Sequence, residues 1–252
     1  MQLLAFDTST DRMSIAVART VDGVAQVWSL DGDGGALASR TLVPAIQDLL
    51  AQAGLGLAEL DAIVFGRGPG AFTGLRTACA VAQGLAFGAR GRTGGAPVPV
   101  LPLDSLLVVA EQARFAHAAD APHWQVLAML DARMDEIYAA RYRWEQQAWQ
   151  TLRAPALVRP QDVSPAGADL ALAGNVFANY GARLPGEASL ARLVALPDAR
   201  AMLRLAPALL AAGQAVDPAL ALPVYIRDKV ASTTAERAAA HAVVPTTISV
   251  PP

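Results

Sequence analysis

The sequence predicts a duplicated α/β fold with two lobes. In the first half an apolar strand at residues 2–6 ends at Asp7, and in the second half an apolar strand at residues 126–130 ends at Asp131. A short polar turn follows each aspartate, and a second strand of mixed alternation follows each turn. Repetition of such a unit indicates a duplicated architecture. Because strand–acid–turn patterns are common, the pattern alone leaves a coincidental likeness of the halves open.

In the first half, the elements are predicted from apolar runs and from residues that start or stop helices. Ser39 is expected to cap the first helix, Gly54 to end it, and Thr73 to cap the second helix. A flexible loop, DGDGGA, is predicted at residues 31–36. The predicted strands are 2–6, 13–18, 24–30, 62–65 and 98–101, and the predicted helices are 39–53, 74–88 and 103–118.

The second half continues after Asp131 with a strand at 137–142, extended segments near 156–158 and 170–172, and a turn at Gly174 and Asn175. A helix is predicted at 197–213, and Pro207 inside it predicts a kink or an early break. The last ordered segment is predicted at 223–230. The domain prediction is an N-terminal lobe at 1–102, a C-terminal lobe at 103–196, a helix and segment at 197–230 that pack back on the N-terminal lobe, and a disordered tail at 231–252.

Composition restricts the class of protein. The chain has 252 residues, of which 54% are hydrophobic and 17% charged, and its formal net charge of −2 does not indicate a strongly basic nucleic-acid surface. Its single cysteine, Cys79, excludes a disulfide within the chain and fits a reducing cytoplasm. The N-terminus lacks the pattern of a signal peptide, and no apolar run reaches the roughly 18 residues of a membrane helix. We therefore expect a cytoplasmic protein with no membrane contact.

Glycines crowd the turn between the strand at 62–65 and the following helix. They require unusual dihedral angles or a close approach of the backbone to another group, and a turn of this kind can direct free N–H groups at a phosphate. The turn lacks the lysine of a P-loop, since the only lysine of the chain is Lys229, and it does not match GxGxxG. A nucleotide site and a plain tight turn both stay open. The glycines are Gly66, Gly68, Gly70 and Gly74.

Four segments together resemble the bacterial TsaB (YeaZ) family. They are LLAFDTSTDRMSIAV, GRGPGAFTGLRTACAVAQGLAFG, LDARMDEIYAARY and LPVYIRD, in family order, and the glycine-rich segment is the most specific of them. The resemblance covers about residues 1–230 and leaves out the tail after Ala231. It implies the actin-like fold of the superfamily of acetate and sugar kinases, heat-shock ATPases and actin, which is a duplicated α/β domain.

The resemblance also implies where a nucleotide site would lie. In this superfamily the first strand–turn of each half cradles phosphate, and a later glycine turn contacts adenosine. The corresponding positions, which we expect to be degenerate here, are Asp7, Thr8, Ser9, Gly68, Gly70, Asp131, Gly174 and Asn175.

The role implied by the resemblance is that of a scaffold. Members of the family pair with TsaD, the subunit that transfers threonylcarbamoyl to the adenosine beside the anticodon of certain tRNAs, and the ATPase TsaE docks on the pair. The family is regarded as a non-catalytic sister of TsaD. The implied partners are therefore TsaD and TsaE, with tRNA contacted indirectly. A direct tRNA contact stays open, and so does a homodimer of the isolated chain.

Several residues argue against catalysis by this chain. Pro102 and Leu106 align with the two metal-binding histidines of the catalytic sister, and neither side chain can bind a metal. No GxSxG nucleophile elbow is present, and Cys79 lies among small apolar residues, as an inert buried cysteine does. We expect no cofactor and no metal. The alternative is a nucleotide-dependent phosphotransferase or peptidase that uses the Asp7 turn and the glycine loop.

The turn after Asp131 has lost its glycines. Ala132, Arg133 and Met134 follow the aspartate, and their side chains would crowd a phosphate. We expect a structural role for Asp131, with Arg133 paired to Asp131 or to Asp135.

Two helices are candidates for a partner interface. Small residues recur every four positions on the second helix, and the first helix carries a broad apolar stripe. One interpretation is that the helices cover the two sides of their own sheet. The other is that they also bind TsaD or a second copy, so that arginine at Ala78 or Ala82 would break the complex and leave the chain folded. The predicted interface residues are Leu42, Ile46, Leu49, Gly74, Ala78, Ala82 and Ala86.

Overall fold

The structure is a computed structural model, and it describes residues 1–35, 37–89, 95–165, 170–185 and 190–227. The tail at 231–252, which the sequence predicts to be disordered, lies outside the described residues. So do residues 228–230 of the last predicted segment. Within the described ranges, no helix is both long and apolar enough to cross a lipid bilayer.

The described residues form two five-stranded sheets with the same connectivity. In the first sheet three strands form an antiparallel meander, and two later strands add in parallel beside the first strand. The first sheet contains β1 (Gln2–Asp7), β2 (Arg12–Val21), β3 (Val24–Asp33), β4 (Ala62–Gly68) and β5 (Val100–Asp104), in the order β3-β2-β1-β4-β5.

The second sheet repeats this topology. It contains β6 (His123–Arg133), β7 (Glu136–Glu145), β8 (Ala148–Val158), β9 (Leu170–Gly174) and β10 (Arg192–Val194), in the order β10-β9-β6-β7-β8. Again the first three strands are antiparallel, and the last two add in parallel beside the first. The predicted duplicated α/β fold with two lobes is thereby confirmed. Asp7 is the last residue of β1, and Asp131 lies two residues before the end of β6.

Five α-helices accompany the sheets in the part of the chain that the structure describes. They are α1 (Ala38–Ala53), α2 (Phe72–Gly88), α3 (Ser105–His117), the one-turn α4 (Phe177–Tyr180) and α5 (Ala199–Ala211). Helices α1 and α2 both pack on one face of the first sheet, whereas α3 and α5 cover its other face. The interpretation in which α1 and α2 cover the two sides of their sheet is therefore wrong in the placement of the helices, since both cover the same side. Helix α3 also packs on the second sheet, so it lies between the two lobes.

The seven predicted interface residues lie in the interior of this chain. Each is buried, and six of them belong to one cluster with Leu4, Phe6 and Phe65 of the first sheet. Gly74 is buried against the first turn. None of the seven offers a free surface, because a stripe of apolar or small residues packs wherever an apolar face is available, and here that face is the sheet of the same chain. The residues concerned are Leu42, Ile46, Leu49, Gly74, Ala78, Ala82 and Ala86.

Several helix ends differ from their predictions. Ser39 and Thr73 are not caps, because Leu37 and Ala71 occupy the cap positions without a side-chain hydrogen bond. Gly54 ends α1 as predicted, in the left-handed conformation at φ 62°. Helix α5 passes through Pro207 and continues to Ala211, so it does not break early. Pro207 lies on the exposed side, and packing of the opposite side on the first sheet holds the helix together.

Two predicted loops or boundaries fall inside strands. Residues 31–33 of the predicted loop continue β3, paired with residues 12–14 of β2. The predicted boundary between residues 102 and 103 lies within β5. In both places the ladder of a neighbouring strand supplies hydrogen-bond partners that the local sequence pattern does not reveal.

The burial of Ala82 leads to a stability prediction for the isolated chain. We expect Ala82→Arg to lower the free energy of unfolding by more than about 3 kcal/mol, since it forces a charged side chain into a filled core. Ala80→Arg on the exposed side of the same helix should change it by less than about 0.5 kcal/mol. Urea unfolding of both purified variants measures this. Equal unfolding midpoints for the two variants would contradict the assignment of Ala82 to the core.

Candidate functional site

A cleft of about 240 Å³ lies between the two lobes, where the turns after β1 and β6 face each other. Four of the predicted site residues line it, namely Ser9, Gly70, Asp131 and Asn175. The other four, Asp7, Thr8, Gly68 and Gly174, do not line it. The structure therefore brings half of the predicted positions to one surface. The remaining walls come from Thr10, Asp11, Ala71, Phe72, Leu130, Ala132, Arg133, Met134, Tyr138 and Arg227.

Asp7 is committed to the interior of the first lobe. One of its carboxylate oxygens accepts hydrogen bonds from the Ser9 amide at 2.8 Å and the Ser9 hydroxyl at 2.6 Å. The other accepts a hydrogen bond from the Ser105 hydroxyl at 3.3 Å. Burial raises the pKa of Asp7 above its ordinary value, and these hydrogen bonds oppose the shift only in part. The acid of the turn at which the resemblance implies a phosphate site thus holds its own turn closed.

The glycine loop is shaped by contact with that turn. A Cβ atom on Gly66 would lie 1.8 Å from an Asp7 carboxylate oxygen, and one on Gly74 would lie 1.8 Å from the Thr8 carbonyl oxygen. A Cβ atom on Gly70 would lie 2.4 Å from the Ser9 carbonyl oxygen. These distances exclude any larger residue, so the glycines permit packing of one part of the chain on another. This observation favours the tight turn over the phosphate site that the sequence left open.

Hydrogen bonds fasten the loop to the first turn as well. The Thr8 hydroxyl donates to the Gly74 carbonyl at 2.8 Å, and the Ala71 amide donates to the Ser9 carbonyl at 2.8 Å. The Ala71 amide, at the start of α2, is therefore used within the chain and is not directed at a ligand.

The second turn is held by a group of hydrogen bonds to Asp131. The Arg133 amide and the Tyr180 hydroxyl donate to one carboxylate oxygen at 2.7 and 2.9 Å, and the Asn179 amide group donates to the other at 3.3 Å. The Asp131 amide donates to the Asn175 side-chain oxygen at 2.8 Å. The contacts support the structural role expected for Asp131. Burial, together with the hydrogen bond to Asp131, raises the pKa of Tyr180 to about 12.

The hairpin beyond Asp131 is unusually tight for residues other than glycine. Arg133, Met134 and Asp135 have positive φ values of 61°, 53° and 63°. A two-residue hairpin loop with positive φ at both central positions matches the twist of the flanking strands, which explains the backbone at Met134 and Asp135. Met134 is left exposed at the wall of the cleft.

The prediction that the Arg133 side chain pairs with Asp131 or Asp135 is wrong. Its guanidinium forms an ion pair with Asp11 of the first turn, across the cleft, while Asp135 pairs with Arg183. Only the Arg133 backbone amide contacts Asp131. The partner belongs to the other lobe, so the sequence around Arg133 could not identify it. Both members of the Arg133–Asp11 pair are largely exposed, so it contributes little to stability.

Arg227 is a residue of the cleft that the sequence reasoning did not single out. It is 7% exposed, and its guanidinium donates to the Ala132 carbonyl at 3.0 Å and to the Arg133 carbonyl at 3.2 Å. It also forms an ion pair with Glu136 at 2.7 Å. The sequence feature that could have pointed to Arg227 is the segment LPVYIRD, one of the four that carry the family resemblance. Arg227 and Asp228 are its last two residues.

The resemblance aligns two positions with metal-binding histidines. Pro102 lies in β5, and Leu106 is fully buried in the first turn of α3. Across the described residues, no cluster of three or more histidine, cysteine, aspartate or glutamate side chains is arranged to hold a metal ion.

The glycine packing leads to a matched pair of variants on α2. We expect Gly74→Ala to destabilise the chain by roughly 1–3 kcal/mol, because the new methyl group meets the Thr8 backbone. Gly84→Ala should stabilise it by about 0.5–1 kcal/mol, since a Cβ there meets nothing within 4 Å and alanine favours the helix. Urea unfolding measures both changes. A stabilising Gly74→Ala would show that the glycine loop is not packed in this way.

The buried Asp7 leads to a prediction about pH. Its pKa is raised in the folded state. Between pH 3.8 and the raised value, Asp7 therefore ionises in the unfolded chain but stays protonated in the folded protein, and the fold loses stability as the pH rises through this range. Asp7→Asn cannot ionise, and the stability of this variant minus that of the wild type should therefore increase over that range. Urea unfolding at intervals from about pH 4 to about pH 7 measures the difference.

Asp198→Asn is the contrasting control for Asp7→Asn. Burial acts to raise the pKa of Asp198, but hydrogen bonds from Arg200 outweigh it and lower the pKa. The wild type therefore gains stability from Asp198 only as the pH rises from the lowered pKa to about 3.8, and the variant-minus-wild-type difference should fall below about pH 4 and level off above it. An Asp7→Asn difference that is also level, or falls, above about pH 4 would show that the folded state does not raise the Asp7 pKa.

Comparisons with known proteins agree with this geometry. The family model described as "TsaD: tRNA N6-adenosine threonylcarbamoyltransferase" matches residues 36–243. The chain is 31% identical over 241 residues to the tRNA threonylcarbamoyladenosine biosynthesis protein TsaB of Escherichia coli, which covers 92% of this chain and 96% of that protein. It is 40% identical over 142 residues to the TsaB of Haemophilus influenzae, in an alignment that spans 55% of this chain and only 52% of that relative.

A solved structure shows the same relationship. YeaZ from Pseudomonas aeruginosa superposes with a TM-score of 0.74 at 36% identity, and the match covers 89% of this chain and 99% of that chain. The chain therefore belongs to the TsaB (YeaZ) family, among the proteins that the TsaD family model matches.

Proposed function

We propose that this protein is a non-catalytic subunit of the cytoplasmic machinery that makes threonylcarbamoyladenosine in tRNA. It pairs with TsaD, supports the ATPase TsaE, and contacts tRNA only through its partners. Its membership of the TsaB family carries the proposal, because the E. coli and H. influenzae relatives are named for this biosynthesis.

The cleft supports a role without chemistry. A phosphotransferase or peptidase needs an acid or a nucleophile directed at the reacting group. Asp7 is buried behind the cleft and accepts three hydrogen bonds. Asp131 accepts three from its own lobe. Both acids are thus used to hold turns, which disfavours the alternative of an enzyme.

The outer side of α2 is the surface that we propose for TsaD. Ala80, Gly84 and Gly88 are exposed and spaced four residues apart, so they form one row. A Cβ atom on Gly84 or Gly88 would meet nothing within 4 Å, so contacts among the described residues do not explain these glycines. A glycine inside a helix costs about 1 kcal/mol relative to alanine. Close approach of a partner helix supplies a physical reason for the row.

Apolar side chains extend this surface. Phe87 at the end of α2 is exposed, and so are Leu220 and Leu222 in the segment that runs beside the helix. The Gln83 side chain donates to the Pro218 and Ala221 carbonyls, which fixes that segment along α2. An exposed apolar group next to a row of small residues is typical of a protein interface. When TsaD is absent, a second copy would find the same surface.

The decisive experiment combines a binding assay with a reconstituted modification assay. We expect Ala80→Arg to remain folded as an isolated chain, to lose binding to TsaD, and to abolish tRNA modification in a mixture of TsaD, TsaE and a threonylcarbamoyl-adenylate source. Calorimetric titration with TsaD and detection of the modified nucleoside measure the two effects.

The matched control is Ala211→Arg, which makes the same change at an exposed position of α5, on the other side of the first sheet. It should leave both binding and modification unchanged. Normal TsaD binding by Ala80→Arg would refute the proposed surface. Modification by the wild-type chain without TsaD, lost in Asp7→Ala, would refute the non-catalytic role.

A further inference from the structure

The segment at residues 216–227, which we name the strap, runs from the end of the first lobe to the second turn of the cleft. At its start, Val216 exchanges two backbone hydrogen bonds with Val100 of β5, at 2.8 and 3.1 Å. At its far end, Arg227 reaches the carbonyls of the turn after Asp131. The strap thus touches both lobes within twelve residues.

The middle of the strap lies on α2. The Cys79 thiol donates to the Ala221 carbonyl at 2.9 Å, and the Gln83 side chain donates to the same carbonyl at 3.0 Å. Ala221 is fully buried, and Cys79 beneath it is 5% exposed. Access of solvent to Cys79 therefore depends on whether this part of the strap stays on the helix.

Between α2 and the cleft, the strap is fixed to the glycine loop. The Val224 amide donates to the Arg67 carbonyl at 2.8 Å. The Tyr225 ring lies 4.9 Å from the Phe72 ring, centroid to centroid, and its hydroxyl accepts a hydrogen bond from the Arg76 guanidinium at 3.0 Å. Phe72 also lines the cleft. Contacts of the strap therefore follow one another from α2 to the cleft without a long free stretch.

Arg227 is the strongest of these attachments. One amino group of its buried guanidinium donates to two backbone carbonyls and forms the ion pair with Glu136. The other amino group lies 3.0 Å from the Met134 sulfur. Hydrogen bonds to charged groups are stronger than neutral ones, and a buried charge that loses its partners must return to water. Loss of this attachment favours departure of the end of the strap from the cleft.

We propose that the strap couples the second turn of the cleft to the outer side of α2, with Arg227 as the positioning residue at its end. A rearrangement of the turn at residues 132–134 releases Arg227, and release propagates back through Tyr225 and Val224 to Ala221. Short segments with successive contacts open as cooperative units. Linkage is reciprocal. A molecule that displaces Leu220 or Leu222 of the strap from its place beside α2 therefore also changes the turn in the cleft. This coupling does not depend on the role in tRNA modification.

Cys79 is the natural reporter, because it is the only cysteine of the chain. We expect Arg227→Met to raise the rate at which a small thiol reagent labels Cys79 in the native full-length protein by at least about tenfold. Arg227→Lys, which keeps the charge but not the forked geometry, should give an intermediate rate. Tyr225→Ala, which removes the contact with Phe72, should also raise the rate.

The control separates strap release from general loss of stability. Leu172→Ala removes a buried side chain on the far face of the second sheet, away from the strap, and it should raise Cys79 labelling only as far as its measured global unfolding requires. If Arg227→Met labels no faster than Leu172→Ala at equal global stability, Arg227 merely stabilises the second lobe and the coupling is refuted.

Hydrogen exchange of the wild-type protein tests the coupling without any substitution. The amides of Val216, Val224 and Arg133 are all hydrogen-bonded in the closed state. We expect Val224 and Arg133 to exchange with the same opening free energy, below that of global unfolding. Exchange of Arg133 that is clearly independent of Val224 would overturn the proposal, whatever the variants do.

Discussion

The contact between the first turn and the glycine loop is the constraint on which the rest of the structure depends. Gly66 and Gly74 approach Asp7 and Thr8 so closely that no Cβ atom fits between them. This contact seats the start of α2 against the end of β1, beside the parallel pairing of β1 with β4. It also buries Asp7, and burial is the largest cause of its raised pKa. One packing contact thus forms the wall of the cleft and keeps the Asp7 carboxyl group out of it.

The two halves share a topology but not a site. In the second half, a Cβ atom on Gly174 would lie 1.8 Å from the Met129 carbonyl, so a glycine again permits close packing of one strand on another. The turn itself, however, is built from residues other than glycine and is held by Asp131 and Arg227. Duplication preserves the glycines that allow close packing in the sheets. The side chains at the two turns, by contrast, use their hydrogen bonds on neighbouring groups of the same chain. Such a cleft supports the proposal of a subunit without its own chemistry.

The sequence predicts what is local and misses what depends on distant contacts. Apolar runs locate nine of the ten strands at least in part, and Gly54 marks the end of α1. The stripe through Ala78 and Ala82 predicts burial, but periodicity does not indicate which surface covers the stripe. In the structure, the first sheet of the same chain covers it. The partners of Arg133 and Arg227 lie 122 and 95 residues away along the chain. Nothing in the local pattern of either arginine identifies them.

The junction of the lobes argues for a fixed shape. Helix α3 packs on both sheets, and its Glu111 is 2% exposed. This carboxylate accepts hydrogen bonds from Arg114 at 3.0 Å, from Arg204 of α5 at 2.8 Å and from Trp149 of β8 at 3.1 Å. A hinge motion of the kind that closes many enzymes would break the hydrogen bond of Glu111 to Arg204 or to Trp149, which lie on other elements, and would so remove part of the pairing of a buried charge, which is costly. A rigid junction, together with the proposed coupling through the strap, fits the proposed role of a subunit that presents a surface to its partners.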